Sequence, residues 1–181
     1  SKPTIAQVHG YCLGGGTHYG LTTDIVIASD DAYFSYPPLQ GFGMPSGECS
    51  IEPWVFMNWR RAAYYLYTAE VVKAEKALEY GLVNEVVPRD ELNDRVESIA
   101  RHIAQAPLTT LMMTKANIKR AWEGMGMRLQ WQASNDLVAL ASMSSDVQAL
   151  IGQVLRGQIK PQEMAERQAS AAESTDGSTP N

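Results

Sequence analysis

Residues 4–29, TIAQVHGYCLGGGTHYGLTTDIVIAS, form the stretch that decides the fold. Its two apolar runs, 4–10 and 24–29, have the length and composition of short strands. Between them, a glycine turn is predicted over 12–18, with glycines at 14–16, and it leads into a brief helix that we predict over 17–23. A glycine turn between a strand and a helix lets the backbone come close to a ligand. The order strand, turn, helix and strand indicates an α/β fold.

The start of the predicted helix is a second feature that favours ligand binding. Free N–H groups and the positive end of the helix dipole suit a phosphate, a carboxylate or a developing oxyanion. The run does not match GxGxxG, and no Lys-Ser or Lys-Thr pair follows it, so nucleotide phosphate binding is not indicated. A turn that serves tight packing alone is the alternative. His18 lies in this segment, and an imidazole titrates near neutral pH.

The remainder of the first half alternates between short elements and turns. The predictions are a strand at 33–36, a loop at 37–48, a helix from about 50 to 67, a helix at 73–81 and a strand at 82–87. Gly81 is placed at the C-cap of the second helix, and Pro88 stops the strand. The aromatic residues of the first helix favour core and subunit contacts over a ligand cage.

From Asp90 onward the sequence is predicted to be helical. The first helix carries an apolar face formed by Leu92, Val96, Ile99 and Ile103. Pro107 opens a second helix, which runs to about Trp122. A third helix is predicted from about 128 to 155, with a break near Ser144 and Ser145.

These elements divide the chain into three regions. Residues 1–89 are predicted to form the α/β core, and residues 90–160 a helical region that mediates oligomerisation. The small, polar residues of 161–181 predict a disordered tail.

The composition argues against several function classes. The 181 residues, 45% of them apolar, suffice for one domain with a sizeable core. A net charge of -5 argues against nucleic acid or an anionic membrane as a partner. No apolar run approaches the roughly 20 residues of a membrane span, and no spacing of ligating residues predicts a metal site. Two cysteines, Cys12 and Cys49, form no disulfide framework, which predicts a reduced, cytoplasmic protein.

Three segments together resemble one known family. The segments are KPTIAQVHGYCLGGGTHYGLTTDIVIASDDAYFSYPP at 2–38, AEKALEYGLVNEVVPRDEL at 74–92 and APLTTLMMTKANIKRA at 106–121. In this order they are similar to the central and C-terminal part of the enoyl-CoA hydratase/isomerase (crotonase) family. The resemblance covers roughly residues 2 to 150. It implies a crotonase-type spiral of ββα units that assembles as a trimer or a hexamer of paired trimers.

The resemblance also implies an oxyanion hole, in which two backbone N–H groups polarise the thioester carbonyl of an acyl-CoA. One donor corresponds to Gly15, and Gly14 and Leu13 shape its turn. One such donor is worth about 2.7–4 kcal/mol of transition-state stabilisation. The family's second donor lies in a loop that would precede residue 1. We therefore expect the N-terminal part of the fold to be missing from this sequence, and two explanations stay open: a further chain supplies that part, or the natural protein has the usual N-terminal third.

Both glutamates of the family's hydratases are replaced in this sequence. Their positions correspond to His18 and Pro38, so hydration through a pair of carboxylates is not expected. Two roles stay open for His18, namely an acid or base and a histidine that lines the pocket without transferring protons. Related isomerases and dehalogenases carry an acidic group at the position of Ser46. Glu48 lies nearby and is a reserve candidate for the base, although a glutamate that stabilises a helix N-terminus is the favoured explanation.

Other residues have simpler interpretations. Asp24 is predicted to be structural, and His9 to be a core or interface residue. Tyr19 is assigned either to the core or to the pocket. Lys115 and Lys119 lie four residues apart on a helix, where a solvated face is the commoner explanation and contact with CoA phosphates the alternative.

The sequence therefore leads to two hypotheses of different class. The first is an acyl-CoA-processing enzyme that stabilises a thioester enolate, as a hydratase, isomerase or hydrolase of fatty acid metabolism. It would need no bound cofactor, because coenzyme A enters as part of the substrate, and Pro38 would line the substrate site. The alternative is a degenerate, non-catalytic subunit that keeps the fold and the oligomer surface.

Overall fold

The computed structural model describes residues 1–45, 57–160 and 163. Its strands are β1 (Ile5–Val8), β2 (Tyr11–Leu13), β3 (Ile25–Ser29), β4 (Tyr33–Ser35), β5 (Val72–Lys73) and β6 (Glu85–Val87). Its helices are α1 (Gly15–Leu21), α2 (Pro38–Phe42), α3 (Trp59–Thr68), α4 (Ala74–Tyr80), α5 (Leu92–Ile103), α6 (Leu108–Gly124), α7 (Met127–Ser142) and α8 (Ser145–Leu155). The α/β order predicted for the first half is confirmed, as is the helical second half.

The described strands form two small sheets. In the first sheet β3 lies between β1 and β6, and both pairings are parallel. In the second sheet β4 lies between β2, with which it is parallel, and β5, with which it is antiparallel. The consecutive strands β1 and β2 therefore belong to different sheets, and the same holds for β3 and β4.

Gly10 follows the strand that we predicted over 4–10, which the structure confirms as β1 but which ends earlier, at Val8. Its φ of +57° is open to glycine at little cost, and it turns the chain from β1 into β2 of the other sheet. The Tyr33 N–H donates to the Gly10 carbonyl at 2.8 Å, which ties this turn to the start of β4. The prediction was wrong also for Cys12 and Leu13, which belong to β2 and not to the glycine turn.

Two apolar clusters hold the sheets and helices together. The larger one lies between the sheets and the helices of the first half, and its most buried large side chains are Tyr65 and Phe34. The smaller one joins β3 and β6 to α5 through Ile27, Val87 and Leu92. Val96 and Ile99 pack against this cluster, so the apolar face predicted for α5 is confirmed.

Several predicted boundaries differ from the structure around the second sheet. The loop predicted at 37–48 contains α2, which begins with proline at its first position, where the missing N–H is not needed. The first part of the helix predicted from about 50 to 67 lies outside the described residues; in the described part, α3 begins at Trp59, where Asn58 caps it by accepting a hydrogen bond from the Arg61 N–H at 3.0 Å. Strand β5 was not predicted, and β6 covers only the last three residues of the predicted strand at 82–87.

The end of α2 packs closely against α8. Gly43 caps α2 with a φ of +64°. A Cβ placed on Gly43 would lie 2.8 Å from Leu150 Cδ2 and 3.8 Å from Val147 Cγ2, both on α8. The absence of a side chain at Gly43 therefore allows the C-terminal helices to approach the core.

The helix predicted at 128–155 is indeed broken near Ser144 and Ser145. Helix α7 ends at Ser142, α8 starts at Ser145, and the two axes are bent by 81°. The C-cap at Gly81 is also confirmed, with a φ of +80°. In the parts of the chain that the structure describes, no single helix is long and apolar enough to cross a membrane; α7 and α8 meet that test only as a bent pair.

A partly buried ion pair ties α6 to the start of β1. Lys115 Nζ lies 2.7 Å from Asp24 Oδ2 and also donates to the Lys2 carbonyl at 2.9 Å. The Thr4 N–H and hydroxyl donate to the same carboxylate oxygen at 2.6 and 2.8 Å. Partial burial opposes ionisation of Asp24, but these hydrogen bonds outweigh it and hold its pKa below the usual value. The structural role predicted for Asp24 is confirmed, whereas the solvated face predicted for Lys115 is wrong.

Candidate active site

The sequence-predicted residues meet at one edge of the second sheet. Strands β2 and β4 are parallel neighbours, and Leu13 pairs with Ser35 at their ends. The glycine turn and α1 leave β2 at this edge, and the segment leading to Pro38 leaves β4 at the same edge. Ligands of α/β sheets commonly bind outside the carboxyl ends of parallel strands. This edge is therefore the candidate active site.

The glycine turn has a backbone that requires glycine. Gly14 adopts φ 54° and ψ -117°, and its N–H donates to the Ser35 carbonyl at 2.9 Å. Gly15 follows as the first residue of α1, where a backbone N–H has no acceptor within the helix. Gly15 is exposed, and a Cβ placed on it would meet nothing within 4 Å. The Gly15 N–H thus borders open space, where an external acceptor can approach.

His18 lies one helical turn after Gly15. Residues three apart on a helix are neighbours on its surface, so the two positions lie side by side. The His18 backbone N–H donates to the Gly14 carbonyl at 3.1 Å, and the side chain is half-buried. Its ring centroid is 6.0 Å from that of Tyr19, which is 75% exposed. The core assignment of Tyr19 was therefore wrong, and so was that of His9, which is exposed.

Leu13 and Pro38 add apolar surface to the same edge. Leu13 is half-buried and packs against Val71 together with Tyr33. Pro38 is half-buried at the first position of α2 and brings no titratable group. Of the two residues that we proposed as acid or base, only His18 lies within the described ranges, because Glu48 falls in 46–56.

Cys12 lies beneath α1 and is not activated as a nucleophile. Its Sγ would be the nearest atom, at 3.9 and 3.8 Å, to a Cβ placed on Gly16 or Gly20. Burial raises the pKa of the Cys12 thiol to about 11, so the thiol stays protonated at neutral pH. The two glycines let α1 pack close to β2, which supports the turn from below.

Two hydroxyl residues of the site were missed in the sequence. Thr17 and Ser35 are buried, with 1% and 0% of their surface exposed. The Thr17 hydroxyl lies within hydrogen-bond distance of the carbonyls of Cys12 and Ser35 and shares its single proton between them, and the Ser35 hydroxyl donates to the Ala69 carbonyl at 2.8 Å. The available signal was a threonine directly after a glycine turn, because short hydroxyl side chains often bond to nearby backbone.

Among the described residues, neither the groove beside α1 nor a cluster of metal-ligating side chains offers a better site. A groove of about 370 Å³ runs beside α1 and is lined by Gly16, Tyr19 and His9, but not by Gly15 or His18. Within residues 1–45 and 57–160, no three His, Cys, Asp or Glu side chains lie close enough together to hold a metal ion. The strand edge with the glycine turn is thus the part of the described chain best suited to chemistry.

Comparison with known proteins identifies the family. The sequence model of the enoyl-CoA hydratase/isomerase family matches residues 1–153. The chain belongs to the enoyl-CoA hydratase/isomerase family. It is 32% identical over 137 residues to a hydroxycinnamoyl-CoA hydratase-lyase of Pseudomonas fluorescens, covering 75% of this chain and 48% of that protein. It is 34% identical over 123 residues to a short-chain-enoyl-CoA hydratase of Clostridium acetobutylicum, covering 67% of this chain and 47% of that protein. The chain thus spans about half the length of these curated relatives.

Solved structures of the family share the fold. An enoyl-CoA hydratase from Mycobacterium smegmatis superposes with a TM-score of 0.76 at 28% identity, over 85% of this chain and 52% of that one. An enoyl-CoA hydratase from Mycobacterium avium subsp. paratuberculosis K-10 gives a TM-score of 0.74 at 25% identity, over 85% of this chain and 62% of that one. The crotonase-type fold predicted from the sequence is confirmed. The replacement of the hydratase glutamates by His18 and Pro38 stays a prediction.

Proposed function

We propose that this chain carries one half of an oxyanion hole and the acid or base of an enzyme that acts on acyl-CoA thioesters. The observation that carries the proposal is the Gly14 turn, which places the Gly15 N–H at the start of α1 beside open space. A developing enolate oxygen is the acceptor that such a donor stabilises best, because the donor is fixed before the charge appears. A second donor would come from another segment or another chain.

The replacement of two carboxylates by one imidazole favours reactions that need a single acid or base. In an isomerisation, neutral His18 would take a proton from the carbon next to the thioester carbonyl. The electron pair left by the C–H bond would form the enolate, whose oxygen accepts from Gly15. Return of the same proton to another carbon would complete the reaction. Hydration requires two proton-transferring groups, because a water must be deprotonated and a carbon protonated.

The relatives support the substrate class and leave the reaction open. Their names include a short-chain-enoyl-CoA hydratase and a hydroxycinnamoyl-CoA hydratase-lyase, and also a methyl-dioxo-hexahydroindene-carboxyl-CoA hydrolase of Rhodococcus jostii. The last is 34% identical over 116 residues. Each of these substrates is a CoA thioester by name. Coenzyme A would therefore enter as part of the substrate, and no further cofactor is needed for the proposed chemistry.

A matched pair of variants tests the oxyanion donor. Gly15→Pro removes the N–H at a helix position that tolerates proline, whereas Gly15→Ala keeps it and adds a methyl group where nothing lies within 4 Å. The chain is titrated calorimetrically with a short-chain enoyl-CoA and with free CoA. We expect native and Gly15→Ala protein to bind the thioester more tightly than CoA, and Gly15→Pro to lose this preference. An unchanged preference in Gly15→Pro would refute the assignment.

Exchange of the acyl α-proton tests His18 separately. The chain is incubated in D2O with a saturated acyl-CoA, and deuterium uptake at the α-carbon is followed by NMR. His18→Ala is expected to slow uptake by about 10²-fold or more, and His9→Ala, which changes an exposed histidine, to leave it unchanged. Equal rates in His18→Ala and native protein would refute the acid or base role.

The alternative is a non-catalytic subunit that keeps the fold. The absence of a titratable side chain at Pro38 is the observation that favours it. Thioester binding without any deuterium uptake in the native chain would support this alternative. A trimeric or hexameric assembly through the helical region at 90–160 belongs to both versions of the proposal, and sedimentation velocity would measure it.

A further inference from the structure

Thr17 is a buried polar residue directly beneath the glycine turn. Only 1% of its surface is exposed, although it lies in the first turn of a helix whose start is open to solvent. Its Oγ1 is 2.9 Å from the Ser35 carbonyl oxygen and also lies within hydrogen-bond distance of the Cys12 carbonyl, so that its single proton is shared between the two. A buried hydroxyl retains its place in a protein when its hydrogen-bonding capacity is satisfied, as here.

The Ser35 carbonyl accepts from both sides of the turn. The Gly14 N–H and the Thr17 hydroxyl each donate to it, both at 2.9 Å. A carbonyl oxygen has two lone pairs and can accept both donors at once. The two donors flank Gly15 and Gly16 in the sequence. The glycine pair is thereby fastened at both of its ends to one atom at the end of β4.

The acceptor is itself held in place. The Ser35 hydroxyl donates to the Ala69 carbonyl at 2.8 Å, and Ser35 is fully buried. Ala69 is the C-cap of α3 and has a φ of +53°, which is uncommon for a residue other than glycine. The hydrogen bonds thus continue from the turn through β4 to the end of α3.

A glycine pair needs such fixation if one of its N–H groups is to act as a preorganised donor. Glycine has the largest backbone freedom of all residues, and an unfixed donor would have to be ordered during the reaction. Oxyanion donors are effective when their direction is set before the charge develops. We propose that Thr17 is a positioning residue, whose hydroxyl fixes the direction of the Gly15 N–H by fastening the turn to the Ser35 carbonyl. This inference rests on the oxyanion role proposed for Gly15.

Three variants of the full chain separate this role from general stability. Thr17→Val keeps the β-branched shape and removes the hydroxyl, and Thr17→Ser restores the hydroxyl. The control is Thr23→Val, because the Thr23 hydroxyl also donates to backbone carbonyls, at 2.7 Å to Gly20 and 3.0 Å to Ile25. It lies beyond the other end of α1, away from the turn. Melting curves by circular dichroism establish that each variant is folded.

Two readouts are measured on every variant. Hydrogen exchange of the Gly14 amide, followed by NMR, reports how firmly the turn is held. Calorimetric titration with a short-chain enoyl-CoA and with free CoA reports the preference for the thioester. Loss of one buried hydrogen bond should increase the Gly14 exchange rate about tenfold in Thr17→Val and reduce the thioester preference by a similar factor. Thr17→Ser and Thr23→Val should stay within about twofold of the native protein in both readouts.

The outcomes are distinguishable from a failure of the proposed function. Equal Gly14 exchange rates in Thr17→Val and Thr23→Val would overturn the inference, as would a faster rate with an unchanged thioester preference. A native chain that binds the thioester no better than free CoA would refute the function proposed for Gly15. The exchange rates alone would then decide whether Thr17 fixes the turn.

Discussion

Replacement of Gly43 by alanine should destabilise the protein through two separable effects. Gly43 has a φ of +64°, a conformation that costs an L-residue roughly 1–2 kcal/mol. A Cβ there would also lie 2.8 Å from Leu150 Cδ2, so the leucine must shift. Overpacking of this kind costs typically about 1–3 kcal/mol. The smaller entropy of the unfolded alanine chain returns about 0.4–1 kcal/mol. The expected net loss is therefore about 1–5 kcal/mol, with a central value of about 3 kcal/mol.

Gly10→Ala provides the matched control for backbone strain. Gly10 has a similar φ of +57°, but a Cβ placed on it would meet nothing within 4 Å. The Gly10→Ala variant should therefore lose about 1 kcal/mol of folding free energy, from backbone strain alone. The difference between the two variants measures the overlap with Leu150. Equilibrium unfolding in urea, followed by circular dichroism with a common m-value, gives both free energies.

A double-mutant cycle with Leu150→Ala tests the contact itself. Because the shortened side chain leaves room for the new methyl group, Gly43→Ala should cost about 1–3 kcal/mol less in the Leu150→Ala background. Two results would refute the reasoning. One is a Gly43→Ala loss no larger than that of Gly10→Ala. The other is additivity of the two changes to within about 0.5 kcal/mol.

Three further predictions concern an ion pair, a helix cap and a thiol. Lys115→Met should lower the free energy of unfolding at pH 7 by about 1–2 kcal/mol, because the partner carboxylate of Asp24 is only 23% exposed. Because the pKa of Asp24 is lower in the folded protein, ionised Asp24 contributes stability above about pH 4, and this contribution is lost as the pH falls further. Acid titration of the Lys115→Met variant should therefore show a smaller loss of stability than titration of the native protein. Asn58→Ala should cost about 1 kcal/mol in urea unfolding, because the Arg61 N–H loses its cap, and an unchanged midpoint would contradict this. Cys12 should resist alkylation by iodoacetamide at pH 8 in the folded chain and react after unfolding, as peptide mass spectrometry can measure.

The glycine turn was predictable from sequence because its cause is local. Three consecutive glycines between a strand and a helix indicate a backbone that other residues rarely adopt, and Gly14 has such a backbone in the structure. The Gly81 C-cap and the amphipathic face of α5 were found for the same reason. Such signals lie within one or two turns of chain, where the sequence alone contains the relevant neighbours.

The errors arose where partners distant in sequence decide the structure. Strand β2 was missed because its three residues lead directly into the glycines, and only its pairing with β4 in the second sheet reveals it. Lys115 looked like a solvated residue because its partner Asp24 is 91 positions away. Thr17 likewise depends on Ser35, 18 positions further along the chain. Side chains whose role is to bond a distant carbonyl leave no periodic pattern in the sequence.

The core and the helical region meet at α2, and this contact connects the C-terminal helices with the candidate site. Pro38 begins α2 at the strand edge that carries the glycine turn, and Gly43 ends it against Leu150 of α8. Helix α2 therefore lies between the strand edge that carries the glycine turn and the C-terminal helix α8. The contact between Gly43 and α8 thus joins residues on the two sides of the division predicted at residue 89, and that division stays a prediction.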